Sequence, residues 1–247
     1  ISGGGAGIFR MTDTFFGGNH FNELKLSNIN NDFTATIELW RGKLVFSDDR
    51  QLGNPDNDIR HYVENGNGGL LFDGPNVVLN PNRDITMIGS PPAVFQTPGT
   101  NFGTVQGVIS SEGTSPTLAK TGTGTLILTN ANTYTSNTEV QAGTLLVNNT
   151  TGSGTGSGNV SVFNTAKLGG SGSIAGNITA ATGGTVAPGN SVGTLTAGAN
   201  ATFNAGSIFD IEIASASSFD QLVVTGAGVF NGNLAVSLLN GFIPASG

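Results

Sequence analysis

A three-residue pattern, glycine followed by a variable residue and an aliphatic residue, recurs along the sequence and constrains the fold most strongly. Two copies, Gly124-Thr-Leu and Gly143-Thr-Leu, begin nineteen residues apart. Each opens a short β-type run, Thr125–Thr129 and Thr144–Val147, and a third run, Thr138–Gln141, lies between them. Alternating β-branched residues separated by Gly, Asn and Ser turns predict strands. A pattern that returns at a regular spacing predicts coils that stack on one another.

The pattern runs through both halves of the chain, which favours a single elongated domain over residues 1–247. Its copies are Gly42-Lys-Leu, Gly69-Leu-Leu, Gly124-Thr-Leu, Gly143-Thr-Leu, Gly184-Thr-Val, Gly193-Thr-Leu, Gly206-Ser-Ile and Gly232-Asn-Leu. The fold class predicted is therefore all-β, a β-solenoid of about 10–11 coils with strands stacked at about 4.8 Å. We expect these residues to face the core or to stack: Leu126, Leu128, Val140, Leu145, Val147, Leu195, Ile211, Ile213, Val223, Leu234 and Val236.

Composition excludes several other classes of protein. The 39 glycines show no three-residue period, which excludes collagen. The net charge is −7, and the few Lys and Arg residues are scattered, so no nucleic-acid partner is expected. No apolar run approaches the roughly 20 residues of a membrane span, so the chain is not expected to span a membrane. The absence of Cys fits an exported bacterial protein, although a cytosolic protein can also lack Cys.

Two segments depart from the repeating pattern. Residues 1–20 begin with a glycine-rich stretch that predicts either a flexible lead-in or a strand. Residues 47–67 are the most charged part of the chain, and Pro55 with its Asn and Asp neighbours marks turns. We interpret this second segment as a loop excursion from the solenoid, and no stretch predicts a helix of convincing length.

Residues 118–148 carry a specific motif. Its positions are Lys120, Gly122, Gly124, Leu126, Asn132, Tyr134, Thr138, Val140, Gly143 and Leu145. In order and spacing they resemble the autotransporter-associated β-strand repeat, also called the passenger-associated transport repeat. The sequence departs from that family at Thr129-Asn130 and Ser136-Asn137, where the family favours Ser-Gly and Gly-Gly. Because Asn tolerates left-handed backbone, we expect these turns to survive.

A second stretch, residues 168–243, is similar to the module that often follows this repeat in large exported bacterial proteins. Its motif residues are Pro188, Gly189, Asn190, Ser191 and Gly193. Together the two resemblances imply a right-handed parallel β-helix at the surface of a Gram-negative-type bacterium or outside it. They supply no catalytic, cofactor-binding or metal-binding residues.

Parallel β-helices also include enzymes that cleave polysaccharides, and such enzymes act through clustered carboxylates. The strongest group is Asp48, Asp49, Asp56, Asp58 and Asp73, accompanied by Arg50 and Arg60. Two carboxylates could divide acid and base roles or bind a hard cation. A solvated polar loop is the favoured interpretation, because sequence spacing alone does not make carboxylates converge. His61 is a weak candidate base, since an isolated surface histidine is usually incidental.

Asparagines recur at turn positions, where stacked amides can form hydrogen-bonded ladders. They are Asn54, Asn130, Asn132, Asn148, Asn149, Asn190 and Asn231. We assign these residues a structural role.

The low charge, the absence of a catalytic constellation and the resemblance predict a non-catalytic extracellular segment that is structural or adhesive. The alternatives are a polysaccharide-degrading enzyme that uses residues 48–73 and a stalk that presents another domain. Expected partners are copies of the chain or flanking solenoid segments stacked end to end, and host or surface glycans. Because neither end shows a capping helix, the candidates for end-to-end assembly are Ile1, Ile8, Phe242 and Ile243.

Overall fold

Four β-sheets, almost wholly parallel, form the part of the chain that this computed structural model describes: residues 7–11, 23–63, 68–90 and 92–244. Strands are numbered in chain order. Sheet A contains β1 (Gly7–Met11), β3 (Ala35–Leu39), β5 (Ile59–Val63), β8 (Ile85–Gly89) and β11 (Ile109–Glu112). Sheet B contains β2 (Glu23–Lys25), β4 (Lys43–Phe46), β6 (Gly69–Phe72), β9 (Ala93–Gln96), β12 (Leu118–Thr121), β14 (Thr138–Val140), β16 (Val160–Val162), β19 (Ile178–Ala180), β22 (Ala201–Phe203) and β26 (Gly228–Phe230).

The other two sheets complete the coils. Sheet C contains β7 (Asn76–Val78), β10 (Phe102–Val105), β13 (Thr125–Leu128), β15 (Thr144–Val147), β17 (Lys167–Gly170), β20 (Thr185–Pro188), β23 (Ile208–Ser215), β24 (Ser218–Phe219) and β27 (Asn233–Leu238). Sheet D contains β18 (Ser173–Ile174), β21 (Thr194–Ala197) and β25 (Gln221–Val224). Only β24 runs antiparallel to its partner strand, β23, among these pairings.

The chain visits sheet A or D, then B, then C, and each strand pairs with its counterpart one coil away. This confirms the predicted β-solenoid. The described coils make about nine turns, compared with the 10–11 coils predicted for all 247 residues. The longest step in sheet B joins Ala201 to Gly228 and the shortest joins Val160 to Ile178.

Register turns the sequence pattern into continuous columns of interior side chains. The main column of sheet C runs through Val77, Gly103, Leu126, Leu145, Leu168, Val186, Phe209 and Leu234. Its members from Val77 to Val186 are buried, whereas Leu234 in the last coil is 65% exposed. Side chains in parallel stacked strands cover one another, so the last described coil leaves its own interior residues uncovered.

The predicted core residues follow this rule. Leu126, Leu128, Val140, Leu145, Val147 and Leu195 are fully buried, as predicted. Ile211 and Ile213 are half-buried. Leu234 and Val236 stack in register on Phe209 and Ile211, but they are exposed because β27 is the last described strand of sheet C. Val223, in register with Thr196, is also exposed.

Sheets A and D occupy the same place in the coil, but in different parts of the solenoid. Sheet A ends at β11, and sheet D begins at β18. In the intervening coils the described chain crosses this side without a strand. The third side of the solenoid is therefore built differently in its two halves.

The segment predicted as a loop excursion is instead largely part of the coils. A 3-10 helix at Asp49–Leu52 occupies the place of a sheet C strand, and β5 pairs with β3 and β8 in sheet A. The excursion prediction is therefore wrong for these residues, while residues 64–67 lie outside the described part. Within the predicted lead-in, residues 7–11 form β1, which pairs with β3, and the rest of residues 1–20 lies outside the described part. No helix in the described residues is long and apolar enough to cross a membrane.

Candidate functional site

Lys120 is an ionisable residue inside the solenoid. In the interior column of sheet B it lies in register between Phe95 and Val140, and it is fully buried. Burial lowers the pKa of Lys120 to about 8, because a charged ammonium is poorly solvated there. This value leaves the ammonium largely protonated at pH 7.

Three backbone carbonyls receive the Lys120 ammonium. Nζ donates to the carbonyl oxygens of Thr121 at 2.9 Å, Gly122 at 2.8 Å and Ala142 at 3.0 Å. An ammonium has three N–H donors, and here each meets one acceptor. Thr121 ends β12 and Gly122 follows it, whereas Ala142 follows β14 in the next coil. Lys120 thus ties the turns of two successive coils together.

Asn132 joins coils on the side that lacks a strand. Its Oδ1 accepts a 2.7 Å hydrogen bond from the Ile109 amide, and its Nδ2 donates a 2.6 Å hydrogen bond to the Gly154 carbonyl. The backbone amide of Asn132 also donates a hydrogen bond to the Ser153 carbonyl. Ile109 lies in the last strand of sheet A, so Asn132 provides the hydrogen-bonding groups that another strand would have offered.

Tyr134 and Thr138 form a buried pair in the same coil. The two hydroxyl oxygens lie 2.7 Å apart, and both residues have no exposed surface. Burial raises the pKa of the Tyr134 phenol, so the phenol stays neutral. The pair closes the turn between Asn132 and β14.

Gly143 shows why the repeat needs glycine. Its φ is +66°, in the left-handed region, and a Cβ there would overlap the carbonyl oxygens of Gly122 and Gly124 one coil earlier. The turns of neighbouring coils stack backbone against backbone at this point. The ten residues of the first motif therefore serve interior packing, turn geometry and coil-to-coil bonding.

The second motif forms another stacked turn. The backbones of Gly170 and Gly189 exchange hydrogen bonds of 2.9 and 2.8 Å across an isolated bridge. Pro188 and Gly189 are buried, whereas Asn190 and Ser191 are exposed. This motif thus positions the entry into β21, the sheet D strand that follows.

Asp220 anchors the second motif, although the sequence analysis did not single it out. Its Oδ1 accepts from the Gly193 amide and its Oδ2 from the Glu212 amide, each at 2.8 Å. A surface pocket next to it is lined in part by Lys167, Asp210 and Glu212. Lys167 Nζ lies 3.3 Å from Asp210 Oδ2, so this pocket contains paired opposite charges.

The acidic residues considered as an enzymatic site do not act as one group. Asp48 accepts from Arg50, and Asp73 pairs with Lys25. In the described residues no three His, Cys, Asp or Glu side chains come close enough to hold a metal ion. The carboxylates serve separate structural contacts.

Two further carboxylates of the group bind the next coil. Asp56 accepts from the Asn82 side chain, and Asp58 accepts from the Asp84 amide. Desolvation raises the pKa of the Asp58 carboxyl, and Asp84 adds like-charge repulsion. Both carboxylates therefore make the hydrogen bonds that polar turns in adjacent coils exchange.

Arg83 was missed by the sequence analysis and organises this charged segment. Its guanidinium is fully buried and pairs with Asp49, Nε to Oδ1, at 2.8 Å. It also donates to the carbonyls of Asn57 at 2.7 Å and Asn54 at 3.2 Å. An arginine two residues after a proline turn gives no sequence signal for such a role. Its contacts tie the 3-10 helix and the segment that follows it to the turn that precedes β8.

Arg60 and His61 also differ from expectation. Arg60 forms a two-point pair with the Glu112 carboxylate, at 3.0 and 2.6 Å. The prediction that His61 is a surface residue is wrong, because it is fully buried in register between Leu39 and Met87. Alternation within β5 could have signalled this, since Ile59, His61 and Val63 share one face.

An asparagine ladder does exist, but at other positions than those predicted. It consists of Asn137, Asn159, Asn177 and Asn200, one residue before successive sheet B strands. Each Oδ1 accepts from the backbone amide one coil later, and Asn200 ends the series at the Ala227 amide. The signal in the sequence was an Asn directly preceding an alternating run.

The predicted turn asparagines make individual contacts. Asn130 donates to the Gln106 carbonyl, whereas Asn148 and Asn149 accept from the Ser171 and Ser173 amides. Of the assembly candidates, Ile8 and Ile243 are exposed and Phe242 is half-buried. Ile1 lies outside the described residues.

Comparisons with known proteins agree with the geometry of the first motif. Residues 118–147 match the family model of the passenger-associated transport repeat. An extracellular serine protease from Serratia marcescens is 38% identical over 121 residues. This similarity covers 49% of the present chain but only 11% of the protease. Residues 118–147 are thus a passenger-associated transport repeat, carried on a β-solenoid.

Proposed function

We propose that the chain is a non-catalytic, structural segment of an exported passenger protein at the surface of a Gram-negative bacterium or outside it. The passenger repeat and the extracellular relative support export. In this role the segment is an elongated scaffold onto which further solenoid coils stack. The chain covers a small share of the relative, so the activity printed for that protease is not assigned to this chain.

The observation that carries this proposal is the pair of interior columns that reach the last described coil and end on exposed apolar side chains. Phe230 is 55% exposed and stacks on Phe203 with a centroid distance of 4.7 Å. Leu234 ends the sheet C column and lies beside Phe230 in an apolar pocket. An apolar strand edge of this kind is suited to pairing with another strand that carries apolar residues at the same positions.

The structure of the other end of the solenoid favours a flanking coil, rather than a second copy of the chain, as the occupant of the exposed last coil. The first strand of sheet C, β7, lies next to the 3-10 helix, and the Asn80 amide donates to Asp49 of that helix. The first described coils contain sheet A, whereas the last contain sheet D. Head-to-tail stacking of copies would therefore match mainly in sheet B. We assign the flanking-coil role to β25, β26 and β27.

Hydrogen exchange tests this assignment directly. The amides of β25–β27 are compared in residues 1–247 alone and in the full natural gene product. We expect fast exchange in the isolated chain and at least tenfold slower exchange in the full product, with β15 as the internal reference. Equal exchange in both proteins would contradict the proposal. Protection that grows with the concentration of the isolated chain would instead identify a self-assembled filament.

The enzymatic alternative has its own test. The purified chain is incubated with acidic and neutral polysaccharides, and reducing ends and unsaturated products are measured. We expect no turnover. Turnover that disappears in Asp56→Ala or Asp58→Ala, but not in the exposed-surface control Asn164→Ala, would overturn the non-catalytic assignment.

A further inference from the structure

His61 is a titratable residue placed where neither of its ring nitrogens is satisfied. Both Nδ1 and Nε2 are buried without a hydrogen-bond partner. The ring is in register between Leu39 and Met87, which are core members with no exposed surface. A buried polar group of this kind is rare and calls for a physical account.

The surroundings of His61 offer no charged hydrogen-bond partner that would stabilise the protonated ring. The charged residues on the packed elements are Glu38 on β3, Arg60 on β5, and Arg41 and Lys43 beside the Gly42 turn. None of them bonds to the ring. Glu38 is held by Arg10 at 2.6 Å, and Arg60 by Glu112, so both of these charged residues already have partners of opposite charge.

Burial lowers the pKa of His61 to about 4, and the nearby Gly68 backbone opposes this only in part. The ring is therefore neutral in the folded coils. In an opened coil it returns to an ordinary pKa near 6.5. Between these values the opened state binds more protons, so the stability of these coils falls as the pH falls from about 6.5 to about 4.

We infer that His61 makes the N-terminal coils, from β3 to β8, a section of the solenoid that opens in mild acid while the later coils remain closed. Solenoid coils contact only their neighbours, which permits opening of one section without loss of the rest. The later described coils bury no histidine in their columns. The chain contains two histidines, and the other, His20, lies outside the described residues.

Hydrogen exchange of the 247-residue chain at pH 7.0 and pH 4.5 measures this opening, after correction for the intrinsic rate at each pH. The expected effect is an opening constant about fifty-fold larger at pH 4.5 in β3, β5 and β8, from the pKa of about 4 and the unfolded value. The reference strands β13 and β15 should change several-fold less.

Two variants distinguish the opening caused by protonation of His61 from opening caused by other groups that titrate in acid. His61→Met places the residue type of Met87 in the same column and removes the titration, so the acid response of β5 should fall to that of β15. His20→Gln should retain the wild-type response. Should His61→Met fail to fold, imidazole NMR of the wild-type chain decides, because one histidine must then stay neutral down to about pH 5. An acid response unchanged in His61→Met, or two histidines that both titrate near pH 6.5, would overturn the inference.

Discussion

Arg83 Nε donates a 2.8 Å hydrogen bond to Asp49 Oδ1 from a side chain with no exposed surface. The two residues are far apart in sequence and belong to successive coils. The pair links the 3-10 helix to the turn that precedes β8. Because its guanidinium also reaches two backbone carbonyls, Arg83 acts as the internal support of the most charged part of the chain.

Removing this arginine should be costly. In Arg83→Met the Asp49 carboxylate and two carbonyls lose their buried partner, so we expect a destabilisation of about 3–5 kcal/mol. The double variant Asp49→Asn/Arg83→Met should recover part of it. Arg50→Met is the matched control: the Arg50–Asp48 pair is exposed on the arginine side, and its loss should cost much less than the loss of Arg83. Urea unfolding of the N-terminal coils, followed by Trp40 fluorescence, measures both. Equal losses in the two single variants would refute the supporting role of Arg83.

The hydroxyl group of Tyr134 should contribute measurably to the stability of the protein. Tyr134→Phe keeps the ring but leaves the Thr138 hydroxyl buried without its partner, at an expected cost of about 1–2 kcal/mol. Adding Thr138→Val should restore part of the loss, and a double-mutant cycle gives the coupling. Tyr62→Phe removes the other tyrosine hydroxyl, which bonds to Arg60 in a partly buried pair, and should cost less. A coupling of zero would show that the hydroxyl pair does not stabilise the turn.

The buried Lys120 should make the free energy of unfolding depend on pH in a definite direction. Burial holds its pKa near 8, below the value of about 10.5 for an unfolded lysine. Between these values the unfolded state binds more protons, so the contribution of Lys120 to the unfolding free energy rises with pH. Relative to Lys120→Met, the wild-type protein should gain stability from pH 8 to pH 10. Lys167→Met, at an exposed pair, is the control. A difference between wild type and Lys120→Met that is flat or falls over this range would show that the three carbonyls hold the ammonium pKa up.

Substitution of an asparagine in the middle of the ladder should destabilise the protein. Asn177 bonds to Asn159 on one side and accepts from the Asn200 amide on the other. Asn177→Ala should destabilise the chain by about 0.5–1.5 kcal/mol, in line with ordinary hydrogen bonds. The exposed Asn164 lies outside the ladder, so Asn164→Ala should be close to neutral. Thermal unfolding by circular dichroism compares the two variants, and an equal shift in both would count against the ladder.

The sequence predicted the features that depend on local pattern. Stacked coils repeat the same local geometry, so Gly124, Gly143 and the alternating residues after them reveal strands, interior faces and turns directly. The ten-residue motif therefore led to the correct fold and to the correct buried residues between 118 and 147.

Contacts between coils with unlike sequences were harder to predict. Arg83 and Asp49 meet only because the 3-10 helix replaces a strand, and nothing in either residue's neighbours specifies that pairing. His61 was expected to be an isolated surface histidine, although the alternation within β5 places it on the apolar face. The asparagine ladder depends on register between strands, which turn composition alone does not fix.

The replacement of sheet A by sheet D also fixes which coil stacks on which. A chain of similar coils risks folding one coil out of step, since each strand would still find an apolar neighbour. Here a one-coil slip would place Asn132 against a strand edge other than Ile109, and would leave the 3-10 helix over the wrong turn. The side that carries sheet A in one half and sheet D in the other therefore distinguishes the native stacking of the coils from arrangements shifted by one coil.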